Sequence, residues 1–203
     1  MSVAPLLHRV LPELPVPGFR PRDDVFPVLS PLDELFPYGG LARGSVVAVD
    51  SPALALAVVA AASGGGAWCA VAGLPVLGPA AAGEIGVDLT RLVVVPAPGE
   101  VWATATATLL DGIEIVLVVA PKHARSAEMR KLAGRVRERR GVLIPVGGWP
   151  EQVDLRLRIE SSEWIGADAG YGRLTGRRCA ISASGRGAAA RERRVTTWLP
   201  LGS

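Results

Sequence analysis

The sequence predicts an α/β protein, and three observations carry that expectation. Short, continuous apolar runs at 45–50, 67–72, 92–95, 113–119 and 142–146 have the composition of strands buried on both faces. Between them lie segments of helical length, either rich in Ala and Leu or amphipathic. From Leu155 onward the pattern changes, with Leu155, Leu157 and Ile159 alternating against Arg156, Arg158 and Glu160, the period of a strand with one wet face. A βαβαβαβαβ order followed by antiparallel strands implies a mostly parallel central sheet flanked by helices and joined by right-handed crossovers, with antiparallel strands at its C-terminal edge.

Each element has a local reason. Residues 1–29 are proline-rich with little periodicity and read as an extended arm; residues 30–203 form one domain, of which 150–203 is the antiparallel extension. Ser30-Pro31 offers an N-cap with proline in the first helical position, opening a short helix over 31–36. After the Gly39-Gly40 turn comes the strand 45–50, then a helix over 53–62 that is nearly all Ala, Leu and Val and ends at Gly64-Gly65-Gly66. The strand 67–72, an Ala-rich helix near 79–85, the strand 92–95 and a helix over 99–110 follow, leading into the apolar strand 113–119. Met129, Leu132 and Val136 recur at i, i+3 and i+7, giving one apolar stripe to a long helix over 124–140 whose remaining surface is largely basic. Strands over 171–184 and 195–199 close the chain, joined by a Gly/Arg-rich loop at 185–194 that its glycines would leave mobile.

Composition narrows the class. With 49% hydrophobic and 20% charged residues the chain is globular, and no apolar run reaches the ~18 residues of a membrane span. The proline-containing, mixed-charge start does not resemble a signal peptide, so a cytoplasmic location is expected. Cys69 and Cys179 both stand in apolar, strand-like surroundings and read as buried free thiols. Two histidines, His8 and His123, and two distant cysteines make no metal cluster at a usual spacing. There is no G-x-S-x-G nucleophile elbow, and Asp23-Asp24 and Asp33-Glu34 read as solvated acids. No catalytic residue, metal or cofactor is expected.

The net charge of +3 conceals a strong polarity along the chain. Residues 1–121 carry 5 Lys+Arg against 11 Asp+Glu, a balance of −6, and residues 122–203 carry 17 against 8, a balance of +9. Residues 122–140 hold eight Lys/Arg, and ten of the 17 basic residues stand out: Arg130, Lys131 and Arg137 on the long helix, and Arg173, Arg177, Arg178, Arg186, Arg191, Arg193 and Arg194 toward the end, where the stretch from Arg173 to Arg194 holds the single acid Glu192. These ten residues are the candidate surface for a partner protein or DNA. Because no aromatic residue lies between Gly172 and Arg194, the stretch is expected to contact backbones or acidic protein surfaces and not to stack on bases.

The segment Leu32-Asp33-Glu34-Leu35-Phe36, then Gly39 to Ser45, then the strand Val46–Val49 resembles the approach to the nucleotide-binding loop of RecA-type ATPases. Ala82 to Leu92, Pro96 to Glu100 and Leu110-Asp111-Gly112-Ile113 continue that resemblance over roughly residues 30–125. Leu155 to Glu160, Glu163-Trp164-Ile165-Gly166 and Gly170 to Arg178 are similar to the tail of the ImuA group, including its ImuA′ branch. That resemblance implies a RecA-like core. It departs from the ATPases in three places: no Gly-Lys-Ser/Thr loop follows Val49, so that the expected lysine falls near Leu54–Ala57; uncharged Leu74-Pro75 stands where a carboxylate is expected; and Val119 replaces a Mg²⁺-supporting aspartate.

The resemblance therefore implies a non-catalytic adaptor of a bacterial mutasome in the SOS and DNA-repair response. Its implied partners are an ImuB-type polymerase-like protein and an error-prone C-family DNA polymerase, with RecA and weakly held single-stranded DNA as further contacts. Two other readings stay open: a SulA-like cell-division inhibitor, and a divergent RecA-type ATPase.

Overall fold

A computed structural model describes residues 24–75, 78–165 and 176–199. Ten strands lie in two sheets: β1 (Val25–Pro27) and β2 (Gly40–Ala42) form a small antiparallel pair, and eight strands build the main sheet. These are β3 (Ser45–Val49), β4 (Cys69–Ala72), β5 (Leu92–Val95), β6 (Ile115–Val118), β7 (Val142–Pro145), β8 (Leu155–Ile165), β9 (Gly176–Gly185) and β10 (Arg193–Trp198). Their spatial order is β10-β9-β8-β3-β7-β6-β4-β5. Strands β8, β3, β7, β6, β4 and β5 run parallel, while β9 and β10 add antiparallel beyond β8. The fold is thus α/β, with a mostly parallel sheet extended by antiparallel strands at one edge.

Helices cover both faces of the parallel part. On one face lie α1 (Pro52–Gly64) and α2 (Pro79–Glu84), together with the segment that carries Phe26, Leu32, Leu35, Phe36 and Leu41. On the other lie α3 (Trp102–Gly112) and α4 (Ser126–Arg139), packed over Val46, Ala48, Ala70, Val116, Val118 and Leu143. Trp102 and Trp149 meet edge to face there, 6.5 Å apart at 87°. Helix α1 is buried from Leu54 to Ala60 without a polar face, which is why its sequence lacks amphipathic periodicity. Helix α4 shows the opposite case: only Met129, Leu132 and Val136 are buried, as their spacing requires.

Several local expectations change on folding. The helix expected over 31–36 is a single 3-10 turn, Leu32–Leu35, and Pro31, not Ser30, occupies its cap. Of the expected arm, residues 1–23 lie outside the described residues, but Val25–Pro27 pairs with Gly40–Ala42 and buries Phe26 and Val28 in the core. Arg43 lays its guanidinium over the Phe26 ring at 3.9 Å, and Arg140 ion-pairs with Asp24, so two arginines from elsewhere in the chain hold the segment in place. The loop expected to be mobile at 185–194 contains a 3-10 turn, Gly187–Ala189, whose Ala189 is buried. Both cysteines are free and fully buried. Burial pushes the Cys69 thiol up to about 12 and raises Cys179 as well. Among the described residues no helix is long and apolar enough to cross a membrane, and no group of three or more His, Cys, Asp or Glu gathers to hold a metal ion.

Candidate functional site

Two regions bear on function: the carboxyl end of β3, and the antiparallel extension with the neighbouring face of α4. In open α/β sheets ligands sit outside the carboxyl ends of the strands, where the crossovers diverge. Here α1 leaves β3 on one face, whereas α4 follows β6 on the other. The link from β3 to α1 is only Asp50 and Ser51, with Pro52 already in the helix. Leu54, Ala55 and Ala57, where the resemblance places a phosphate-loop lysine, are fully buried in the core. Val119 is half-buried against the same core, and its N–H donates to the Ala72 carbonyl at 2.9 Å.

Asp50 has a structural task. Its Oδ2 accepts from the Ile159 N–H at 2.7 Å, beside the bulge between Ile159 and Ser161 where β8 shifts register against β9. The shallow cavity here, about 390 Å³, is lined by Asp50, Ser51, Ile159, Glu160, Ser161, Ser162 and Arg177. Two carboxylates on its wall oppose an anion. Arg177 donates to the Ser162 hydroxyl at 3.0 Å and stacks its guanidinium over the Trp164 ring at 5.3 Å.

The ten sequence-selected basic residues divide as follows. Arg173 lies outside the described residues. Arg177 and Arg178 sit on β9, facing opposite sides of the sheet: Arg177 shares its face with buried Cys179, and Arg178 is exposed on the other. Arg186 donates to Gln152 Oε1 and Asp154 Oδ1, both at 3.0 Å. Arg193 donates to the backbone carbonyls of Ala188 and Arg191, which ties down the turn, and Arg191 is exposed. Arg194 pairs with Glu160 and Glu192 at 3.3 and 3.2 Å. On α4, Lys131 is exposed, Arg130 pairs with Glu151 at 3.4 Å, and Arg137 reaches Asp154 at 3.9 Å.

Asp154 therefore joins the two sequence-distant clusters. Its Oδ1 receives Arg186 from the C-terminal turn and Arg137 from α4, while its Oδ2 accepts from the Val46 N–H at 2.9 Å. The remaining helix arginines, Arg135 and Arg139, face the other way and share Asp111, whose carboxyl their hydrogen bonds and charges hold below the usual carboxylate range.

The sequence reading missed four residues of this surface. Arg156 and Arg158 stand on the wet face of β8, and Trp164 and Trp198 are exposed at 55% and 44%. Burial, with Arg158 beside it, lowers the Arg156 guanidinium, which donates to the Trp149 carbonyl at 2.8 Å. Trp164 pairs in register with Arg177, and Trp198 with Arg178. Arginines without a sequence-adjacent aromatic thus acquire one in space. The signal was present in the alternation Arg194, Thr196, Trp198 along the last strand.

A family model described as the MT3502 N-terminal domain matches residues 34–151, from the first 3-10 turn to just before β8. The uncharacterized protein Rv3395c of Mycobacterium tuberculosis (strain ATCC 25618 / H37Rv) is 33% identical over 141 residues, covering 66% of this chain and 69% of the relative.

Proposed function

We propose, for a chain that belongs to the MT3502 N-terminal domain family, a non-catalytic adaptor role in a translesion DNA synthesis complex of the DNA-damage response. Its partner on this reading is an ImuB-type polymerase-like protein, and through it an error-prone C-family DNA polymerase, with RecA as a second contact. The observation that carries the non-catalytic part is the Asp50–Ser51 link between β3 and α1. A phosphate cradle needs several successive free N–H groups and a cation. Here two residues span the gap, one of them an acid already bonded to β8, and the helix beyond turns Leu54 to Ala57 into the core.

What supports the adaptor part is the RecA- and ImuA-type sequence resemblance, together with an architecture of the expected kind: a parallel sheet with antiparallel strands at one edge. The arginine surface that Asp154 gathers from α4 and the C-terminal turn suits carboxylates on a protein partner through bidentate pairing. Co-expression with an ImuB-type protein, followed by size-exclusion chromatography, is expected to give a complex that survives moderate salt. Titration calorimetry with Mg-ATP is expected to give no binding heat. A micromolar Kd for ATP would overturn the non-catalytic reading. A complex with the FtsZ division protein in place of the ImuB-type protein would overturn the adaptor reading in favour of a SulA-like inhibitor.

A further inference from the structure

The amino ends of β3 and β8 border a cavity of about 320 Å³, at the opposite end of β3 from Asp50. Val47, Leu155 and Ala189 are buried beneath it, and Phe36 and Tyr38 stand at its side. Gly40 and Ala42 of β2 line it from one segment, and Gly187 and Ala188 from the C-terminal 3-10 turn. None of these four carries a side chain longer than a methyl, so the space between the two segments stays open. The volume lies at the lower end of the ~300–1,000 Å³ of ligand pockets, enough for one large side chain. Among the described residues the lining holds one base, Arg186, and one acid, Asp154. Asp154 is already engaged by Arg186, Arg137 and the Val46 N–H. Arg193, which donates to the Ala188 carbonyl, brings a further positive charge to the rim. Three guanidinium groups against one carboxylate leave that rim positive. The fork of Arg186 has more donors than its bonds to Gln152 and Asp154 use.

We propose that this cavity seats one apolar side chain, Phe or Leu, from an acidic segment of a partner protein. Burial of that anchor supplies most of the affinity, as at interface hot spots. Carboxylates on either side of it meet Arg186, Arg193 and Arg137 through charge-assisted hydrogen bonds. Charge selects the occupant. A basic segment would add to a rim that is already positive, and the chain's own residues 1–23, with three arginines against two acids, do not supply the complement. Which protein carries the segment rests on the adaptor reading, where it belongs to the ImuB-type partner; the chemistry of the cavity does not depend on that.

The test is fluorescence anisotropy of the full chain with labelled peptides of the form Glu-Asp-Glu-X-Glu-Asp-Glu, where X is Phe, Leu or Ala. The Phe or Leu peptide should bind, and the Ala peptide should bind about tenfold more weakly or worse. A Phe peptide with Lys in place of every acid should not bind. Ala188→Trp, which fills the cavity from its wall, should abolish binding with Tm unchanged; the peptide series carries the test on its own if that variant melts early. Arg186→Gln should weaken the Phe peptide, and Lys122→Gln, an exposed charge outside the cavity, should not. Three results overturn the proposal: no binding of either apolar peptide, equal binding of the Phe and Ala peptides, or binding that survives Ala188→Trp. A photo-cross-link from benzoylphenylalanine at position 188 to residues 1–23 of the same chain, or to a second copy, overturns it as well. Co-expression with an ImuB-type protein separates this proposal from the adaptor reading. A complex that forms and resists Ala188→Trp overturns the cavity and leaves the adaptor role standing. Peptide binding without such a complex overturns the adaptor role and leaves the cavity standing.

Discussion

Asp154→Ala isolates the residue on which the two basic clusters meet. The substitution removes three interactions of different worth. The bond from the Val46 N–H is charge-assisted and belongs to a residue only 1% exposed, so its loss leaves a buried donor unsatisfied, at about 1–3 kcal/mol. The pairs with Arg186 and Arg137 involve side chains 48% and 54% exposed and contribute about 0–1 kcal/mol each. The sum is about 1–5 kcal/mol, most of it from one backbone amide and not from the two salt bridges. For a domain of this size each kcal/mol moves Tm by ~2–4 °C, so a fall of about 2–20 °C is expected. Asp154→Asn keeps an acceptor for Val46 and loses only charge, so it should fall by less than half as much. Differential scanning fluorimetry at low and high salt separates the contributions, since only the ion pairs are screened. If the two variants melt within a degree of each other, Val46 is not the main beneficiary and the ranking of contributions is wrong.

Leu54→Lys, which places a lysine where a phosphate loop would hold one, should bury a charge among residues that are fully buried, and yield insoluble or strongly destabilised protein without gain of ATP binding in calorimetry. Gly185→Ala sets a Cβ against the Asp154 carbonyl oxygen and the Ala189 methyl, so it should cost about 1–3 kcal/mol by chemical denaturation; a neutral result would show that the turn shifts freely. Stability should fall with alkaline pH through Cys69. The folded thiol holds its proton up to about 12 against an ordinary value of 9.0, so the unfolded state releases its proton first. The contribution is complete below about 9 and lost toward 12, and Cys69→Ala should flatten that part of a urea-midpoint profile.

The parallel core was legible because its strands and helices announce themselves locally. Ile115–Val118 reads as a run buried on both faces, and Met129, Leu132 and Val136 as a stripe. What escaped depends on pairings distant in sequence. Val25–Pro27 has only three residues, too few for a period, and becomes a strand because Gly40–Ala42 returns beside it. The alternation beginning at Leu155 could be followed only to the bulge at Ile159/Ser161, after which inward and outward positions exchange. The alternation Arg194, Thr196, Trp198 sets Trp198 on one face with Arg194, but the pairings of Trp164 with Arg177 and of Trp198 with Arg178 escaped for the same reason: they come by strand register, not by adjacency. The two-residue Asp50–Ser51 link, by contrast, was legible as missing loop glycines and a missing lysine.

The place of β3 in the sheet has a consequence for how the chain is made. Both of its neighbours, β7 and β8, are synthesised late: the Val46 amide finds Asp154 across 108 residues. At ribosomal speeds of ~5–20 residues per second, on the order of 5–20 s pass between the emergence of β3 and that of the strand which completes its pairing. Until β7 emerges an apolar strand stands with both edges open, and until β8 emerges with one, while the largely apolar α1 beside it awaits the sheet on which it will pack. High sequence separation of this kind slows folding and exposes unfinished edges to other chains. Nascent-chain association should therefore peak before β8 has left the ribosome and subside once Leu155–Leu157 closes the register of Val47–Val49.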